Sequence, residues 1–227
     1  MFPFRNEQQT KGFPAVTVLV IIICTAVFVC GRVLTHSKSS FPGLVPLDFM
    51  YAVFHPSTGL LSAGGMLVAA FFMHGGISHL VGNMWYLWLF GPAIESRIGS
   101  GPFALLYGFC GVVSMLIQTV HSPLSTVPIV GASGAIAGIM GCSLVLQPLA
   151  RLSCYLPPVF IFRVPAFVFL LFWFLIQYIN VRLLGTPGAP TLVAWWAHIG
   201  GYLTGAVAGG AVLFLRGGAG KGGAKKR

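Results

Sequence analysis

The 227-residue chain is 56% hydrophobic and only 7% charged, against roughly 25% charged for a soluble domain, which excludes a water-soluble globular protein. Its net charge of +10 arises from basic residues in short connectors and near the C-terminal end, so lipid headgroups are expected partners and nucleic acid is not. The five cysteines lie in or beside apolar runs, without paired or Cys-x-x-Cys spacing, and read as free packing residues.

In chain order, the first apolar run, Phe13 to Leu34, is too long for a signal-peptide core and has no small-residue cleavage site behind it. It is expected to remain as a span over 14–34. At about 20 apolar residues per crossing, further spans fall near 77–95, 101–121, 130–147, 161–181 and 192–215, six in all. Long runs without the alternation of barrel strands predict helices, so residues 1–216 are expected to form an all-α, six-transmembrane-helix bundle. Residues 217–227, rich in Gly and Lys, read as a basic cytoplasmic tail.

The long connector from Thr35 to Gly76 carries prolines at 42, 46 and 56 yet is half apolar. It is expected to lie in the outer membrane interface between spans one and two, partly helical and docked on the bundle. With the N-terminus inside, ten Lys and Arg face the cytoplasm and three, Arg32, Lys38 and Arg182, face out. That bias predicts both termini inside.

Polar clusters interrupt three of the apolar runs: His79-Leu-Val-Gly-Asn83, Gly131-Ala-Ser133-Gly134 and Ala197-His198-Ile-Gly200-Gly201. Each opens an even-numbered span, so all three reach the outer face. A G-x-S-G string alone is weak, and small residues four apart, such as Ser133, Ala137 and Gly141, equally serve helix packing. His198, however, shares a stripe with Gly201, Gly205 and Gly209, which lets a neighbouring helix approach. Packed on the small face of span four, that stripe would bring the imidazole to the Ser133 hydroxyl, and a serine nucleophile needs such a base. A buried histidine bonded to a neighbouring helix is the plainer reading. His79 and Asn83, one turn apart, can donate to a developing oxyanion together with the Ser133 amide, or simply tie span two to a neighbour.

Only three acids exist, Glu7, Asp48 and Glu95, and none is placed to orient His198. A Ser–His dyad follows, its imidazole held by packing or a neutral partner. No His-Glu-x-x-His string is present, and His74, His79 and His198 lack Cys or carboxylate help as zinc ligands, so no metal and no cofactor are expected. The single aspartate lies outside the spans and cannot serve an aspartyl mechanism.

From about Phe71 to Gly209 the sequence resembles the rhomboid family of intramembrane serine proteases, through FFMHGGISHLVGNMWYLWLFGPAIESRIGS, GASGAIAG and AHIGGYLTG. The resemblance implies Ser133 as nucleophile, His198 as general base, and His79, Asn83 and the Ser133 amide as the oxyanion site. Gly131 and Gly134 would shape the nucleophile turn, and Gly201 and Gly205 would let span six pack on span four. It further implies single-span transmembrane substrates that enter sideways past span five, where Phe160 to Tyr178 suits either a loosely packed gate or a lipid-facing helix. The chain departs from the family pattern in two places. Gly65-Met66 stands where many relatives carry Trp-Arg, and Ala137 stands where many have an aromatic against the histidine, leaving Tyr202 or Trp196 to compensate. By analogy the membrane would be a bacterial plasma membrane. A catalytically inactive relative that binds membrane clients is the alternative, distinguishable by its failure to react with a serine-directed fluorophosphonate.

Overall fold

The computed structural model describes residues 2–8, 10–35, 43–158, 160–184 and 193–222. Its elements run β1 (Phe2–Asn6), α1 (Ala15–Thr35), α2 (Pro46–Phe54), α3 (Pro56–Phe72), α4 (Ile77–Ile98), α5 (Ser100–His121), α6 (Ser133–Leu146), β2 (Arg151–Leu156), β3 (Phe160–Pro165), α7 (Ala166–Leu184) and α8 (Trp195–Gly222). The protein is mostly helical, and it is a membrane protein. Ten large apolar side chains of α7 stand exposed, among them Leu171, Phe172 and Leu183, a surface suited to the lipid around a membrane span.

Among the described residues, α5, α7 and the Trp195–Arg216 stretch of α8 are long and apolar enough to cross a bilayer. Leu61–Phe72 and Ile77–Ile98, bent by 80° at their junction, make a fourth crossing if taken as one span. Helix α6 has 14 residues, about 21 Å at 1.5 Å per residue, short of the roughly 30 Å hydrocarbon layer. It sits at the centre of the bundle, with every residue from Gly134 to Ser143 buried.

Contact between α6 and α8 is made backbone to backbone. A Cβ on Gly201 would collide with the carbonyl oxygen of Gly134, one on Gly205 with that of Gly138, and one on Gly141 with that of Tyr202. Small residues at these positions are what permit such an approach in lipid, where association depends on packing rather than on expelling water. At the other end of α4, the buried Glu95 accepts from Val16 N and Thr17 N at 2.9 Å, and from Thr17 Oγ1 and Ser100 Oγ at 2.7 Å. One carboxylate thereby satisfies two backbone N–H groups in the first turn of α1, which have no helical partners, and holds the Ser100 hydroxyl at the start of α5.

The connector before α4 contains α2 and α3, with Pro46 starting α2 where its missing N–H costs nothing. Leu44, Phe49, Ala52, Ala63 and Ala70 form a second apolar cluster with Met115 of α5 and Ile129. Leu44 also exchanges both backbone hydrogen bonds with Ile129, at 3.0 and 2.7 Å, and Ala70 O accepts from Gly131 N at 2.8 Å. The Gly65-Met66 site falls within α3, where Met66 packs against this cluster.

The expectation of an all-α chain is corrected by an antiparallel sheet in the order β1-β2-β3. Span five accordingly begins at Ala166 rather than 161, because residues 160–165 pair with β2. A continuous apolar run hides the boundary between strand and helix, since periodicity alone does not separate a short buried strand from a helical segment. Strand β1 is fastened to α4 by Trp85 Nε1 donating to Pro3 O (2.8 Å) and Asn6 Nδ2 donating to Leu89 O (3.2 Å). Glu7 pairs with Arg163 at 2.7 Å and accepts from Ser153 Oγ at 2.9 Å. At the far end α8 continues past Arg216 to Gly222, and residues 223–227 of the expected tail lie outside the described residues.

Candidate active site

Each of the three polar clusters falls at a helix start. His79 lies in the first turn of α4, Ser133 is the first residue of α6, and His198 lies in the first turn of α8. The α6–α8 seam brings the last two together, with Ser133 Oγ and His198 Nε2 2.9 Å apart. Both side chains are half-buried.

Gly131 precedes the serine with φ +109°, a conformation that L side chains rarely adopt. A Cβ there would also stand 3.0 Å from His79 Nε2 and 3.2 Å from Asn83 Nδ2, so glycine is required twice over: for the turn and for the space beside the two donors. Asn83 is buried, at 8% exposure, and its Nδ2 has no hydrogen-bond partner among the described residues. A buried amide donor without a partner is costly, and here it sits beside the turn that presents Ser133. Gly134 packs against Ser114 so closely that a Cβ would overlap the Ser114 hydroxyl.

On its other side His198 meets a residue that sequence reasoning missed. Its Nδ1 lies 2.9 Å from Oε1 of Gln177, a residue of α7 that is only 5% exposed. The rings of Trp173 and Trp195 flank the imidazole at centroid distances of 5.8 and 6.0 Å, the latter edge-on. Neither of the two side chains considered from sequence does this. Trp196 stands against His121 at 4.7 Å, and Tyr202 packs on Trp173 and Phe174. The sequence signal for Gln177 is general rather than specific: it is an amide in a largely apolar helix that also carries Asn180 and Arg182, and such groups need partners in lipid. His74 stands edge-on to His79 at 5.3 Å, with Nδ1 3.2 Å from Phe72 O.

An alcohol paired with an imidazole at a helix N-terminus, beside a buried amide and a half-buried imidazole, is the kind of constellation that acyl transfer requires. The sequence matches the Rhomboid domain over residues 64–214, and the chain belongs to the rhomboid family. It is similar to the rhomboid protease GluP of Bacillus subtilis, 41% identical over 34% of this chain and 15% of that protein. It is also similar to the mitochondrial RHOMBOID-like protein 6 of Arabidopsis thaliana, 34% identical over 61% of this chain and 40% of that one. A third likeness, to the mitochondrial Rhomboid protein 1 of Saccharomyces cerevisiae, is 32% identity over 41% of this chain and 28% of the other. The chain therefore matches less than half the length of each of these relatives.

Proposed function

We propose that this protein is an intramembrane serine endopeptidase working through a Ser133–His198 dyad. The 2.9 Å approach of Ser133 Oγ to His198 Nε2 carries the reading. In the proposed cycle the serine oxygen attacks the scissile carbonyl as its proton passes to Nε2. The oxyanion accepts from the Ser133 amide, His79 and Asn83, and the imidazolium then protonates the departing amine. Water, deprotonated by the same imidazole, releases the acyl group and restores the serine. No metal or cofactor takes part.

The substrates are proposed to be single-span membrane proteins cleaved in or near the membrane. They would reach the site past α7, whose Phe and Leu side chains stand exposed on the bundle surface. Six crossings are proposed, formed by α1, α4, α5, α6, α7 and α8 within residues 1–216, with the connector lying in the outer interface and residues 217–227 as the tail. Ten of the 13 Lys and Arg support an arrangement with both termini cytoplasmic and a polar cavity at Ser133, His198, His79 and Asn83 open to the outer side. A bacterial plasma membrane is the proposed setting, although the relatives' names include mitochondrial proteins as well.

In proteoliposomes carrying a single-span substrate, Ser133→Ala and His198→Ala are each expected to abolish cleavage while the protein still folds. Substantial cleavage by either purified variant refutes the dyad. An inactive client-binding protein would fail to react with a fluorophosphonate, whereas the proposed enzyme is labelled at Ser133.

A further inference from the structure

We propose that Gln177 is a positioning residue that holds His198 in the one neutral tautomer able to take the serine proton. This deepens the dyad reading and rests on it for its catalytic meaning. The chain of donors and acceptors leaves a single solution. Gln177 Nε2 donates to the carbonyl of Trp173, one turn back in α7, at 3.2 Å, which turns Oε1 toward the histidine. An amide oxygen only accepts. The His198 Nδ1 facing it at 2.9 Å must therefore carry the ring proton, and the remaining nitrogen, Nε2, is left with its lone pair aimed at Ser133 Oγ. In the other tautomer an Nε2–H would face the serine, two lone pairs would face each other at Gln177, and the ring would be no base.

Gln177 is almost wholly buried, where an amide left unpaired is costly and a satisfied network is correspondingly rigid. A neutral acceptor also avoids placing a bare carboxylate within the membrane. Two of the three acids are engaged elsewhere: Glu7 with Arg163 and Ser153, and Glu95 with the starts of α1 and α5. Trp173 and Trp195 restrict the plane of the imidazole, but apolar faces do not choose which nitrogen is protonated. Ring orientation and tautomer are thus set by different residues. Removing the amide should change the second and spare the first.

The test uses full-length protein in detergent with 15N-labelled imidazoles, the His198 resonances being identified by their loss in His198→Asn. In the wild type the ring proton is expected on Nδ1. In Gln177→Leu, close to Gln in volume, a mixture of tautomers is expected, with fluorophosphonate labelling of Ser133 slowed about 100-fold, less than the roughly 10⁴-fold loss when a carboxylate-held tautomer is set wrongly. Gln177→Glu, which keeps an acceptor oxygen in place, is expected to recover most of that rate. A wild-type His198 protonated on Nε2 overturns the inference, as does a Gln177→Leu variant with wild-type tautomer and labelling rate. Should the leucine variant not fold, the wild-type tautomer and the glutamate variant still decide. A wild type that carries its proton on Nδ1 yet resists labelling supports the role of Gln177 and sinks the enzyme reading instead.

Discussion

Gly201→Ala puts the coupling between helix packing and chemistry to its severest test. Gly201 lies one turn beyond His198 on α8, and a Cβ added there would collide with the Gly134 carbonyl oxygen and stand 2.9 Å from its carbon. Backbone atoms cannot rotate aside as a side chain does, so relief requires the two helices to part by about 1 Å, at a cost of about 1–3 kcal/mol. Gly134 immediately follows the serine, so the same separation opens the 2.9 Å bond between Ser133 and His198. A misplacement of about 1 Å in a reacting pair lowers rate by about 100-fold. The expected result is a protein that still folds but is labelled by fluorophosphonate about 100 times more slowly. Gly210→Ala, on the same helix with nothing within 4 Å of the added carbon, serves as control and should match the wild type. Wild-type labelling by Gly201→Ala would show that the dyad does not depend on the seam.

Asn83→Ala should lower kcat by roughly 10²–10³-fold with little change in KM, because a donor aimed at the oxyanion acts in the transition state; equal effects on kcat and substrate affinity in proteoliposomes would contradict that role. Glu95→Gln exchanges one oxygen of a carboxylate that receives four donors for a group that itself donates. At about 1–3 kcal/mol for each buried group left unpaired, a loss of about 3 kcal/mol is expected, or roughly 6–12 °C in thermal unfolding in detergent. An unchanged midpoint would show that the starts of α1 and α5 find other partners.

Helix positions were readable because each is a long apolar run, and the α4, α5 and α8 cores fall close to the expected 77–95, 101–121 and 192–215. The approach of Ser133 to His198 was readable because glycine spacing announces a close helix contact. Two things were not readable. The strands pair residues far apart in the chain, Pro3 with Cys154 for instance, and their apolar composition merges with the helix that follows. Gln177 was hidden for a different reason: its partner sits 21 positions away on another helix, and only the crossing of α7 and α8 determines which polar group it meets. The dyad reading expects packing or a neutral partner to hold His198, and the neutral group that lies against it is the Gln177 amide.

Ser133 hangs from two supports. Ahead of it runs α6, and behind it the two residues that lead into the turn, Ile129 and Gly131, are bonded through their backbones to Leu44 and Ala70 at opposite ends of the connector. Both links are backbone hydrogen bonds, so the connector reaches the serine turn without relying on a side-chain contact. Sequence drift in the connector is therefore expected to shift Ser133 relative to His198 while leaving both residues unchanged.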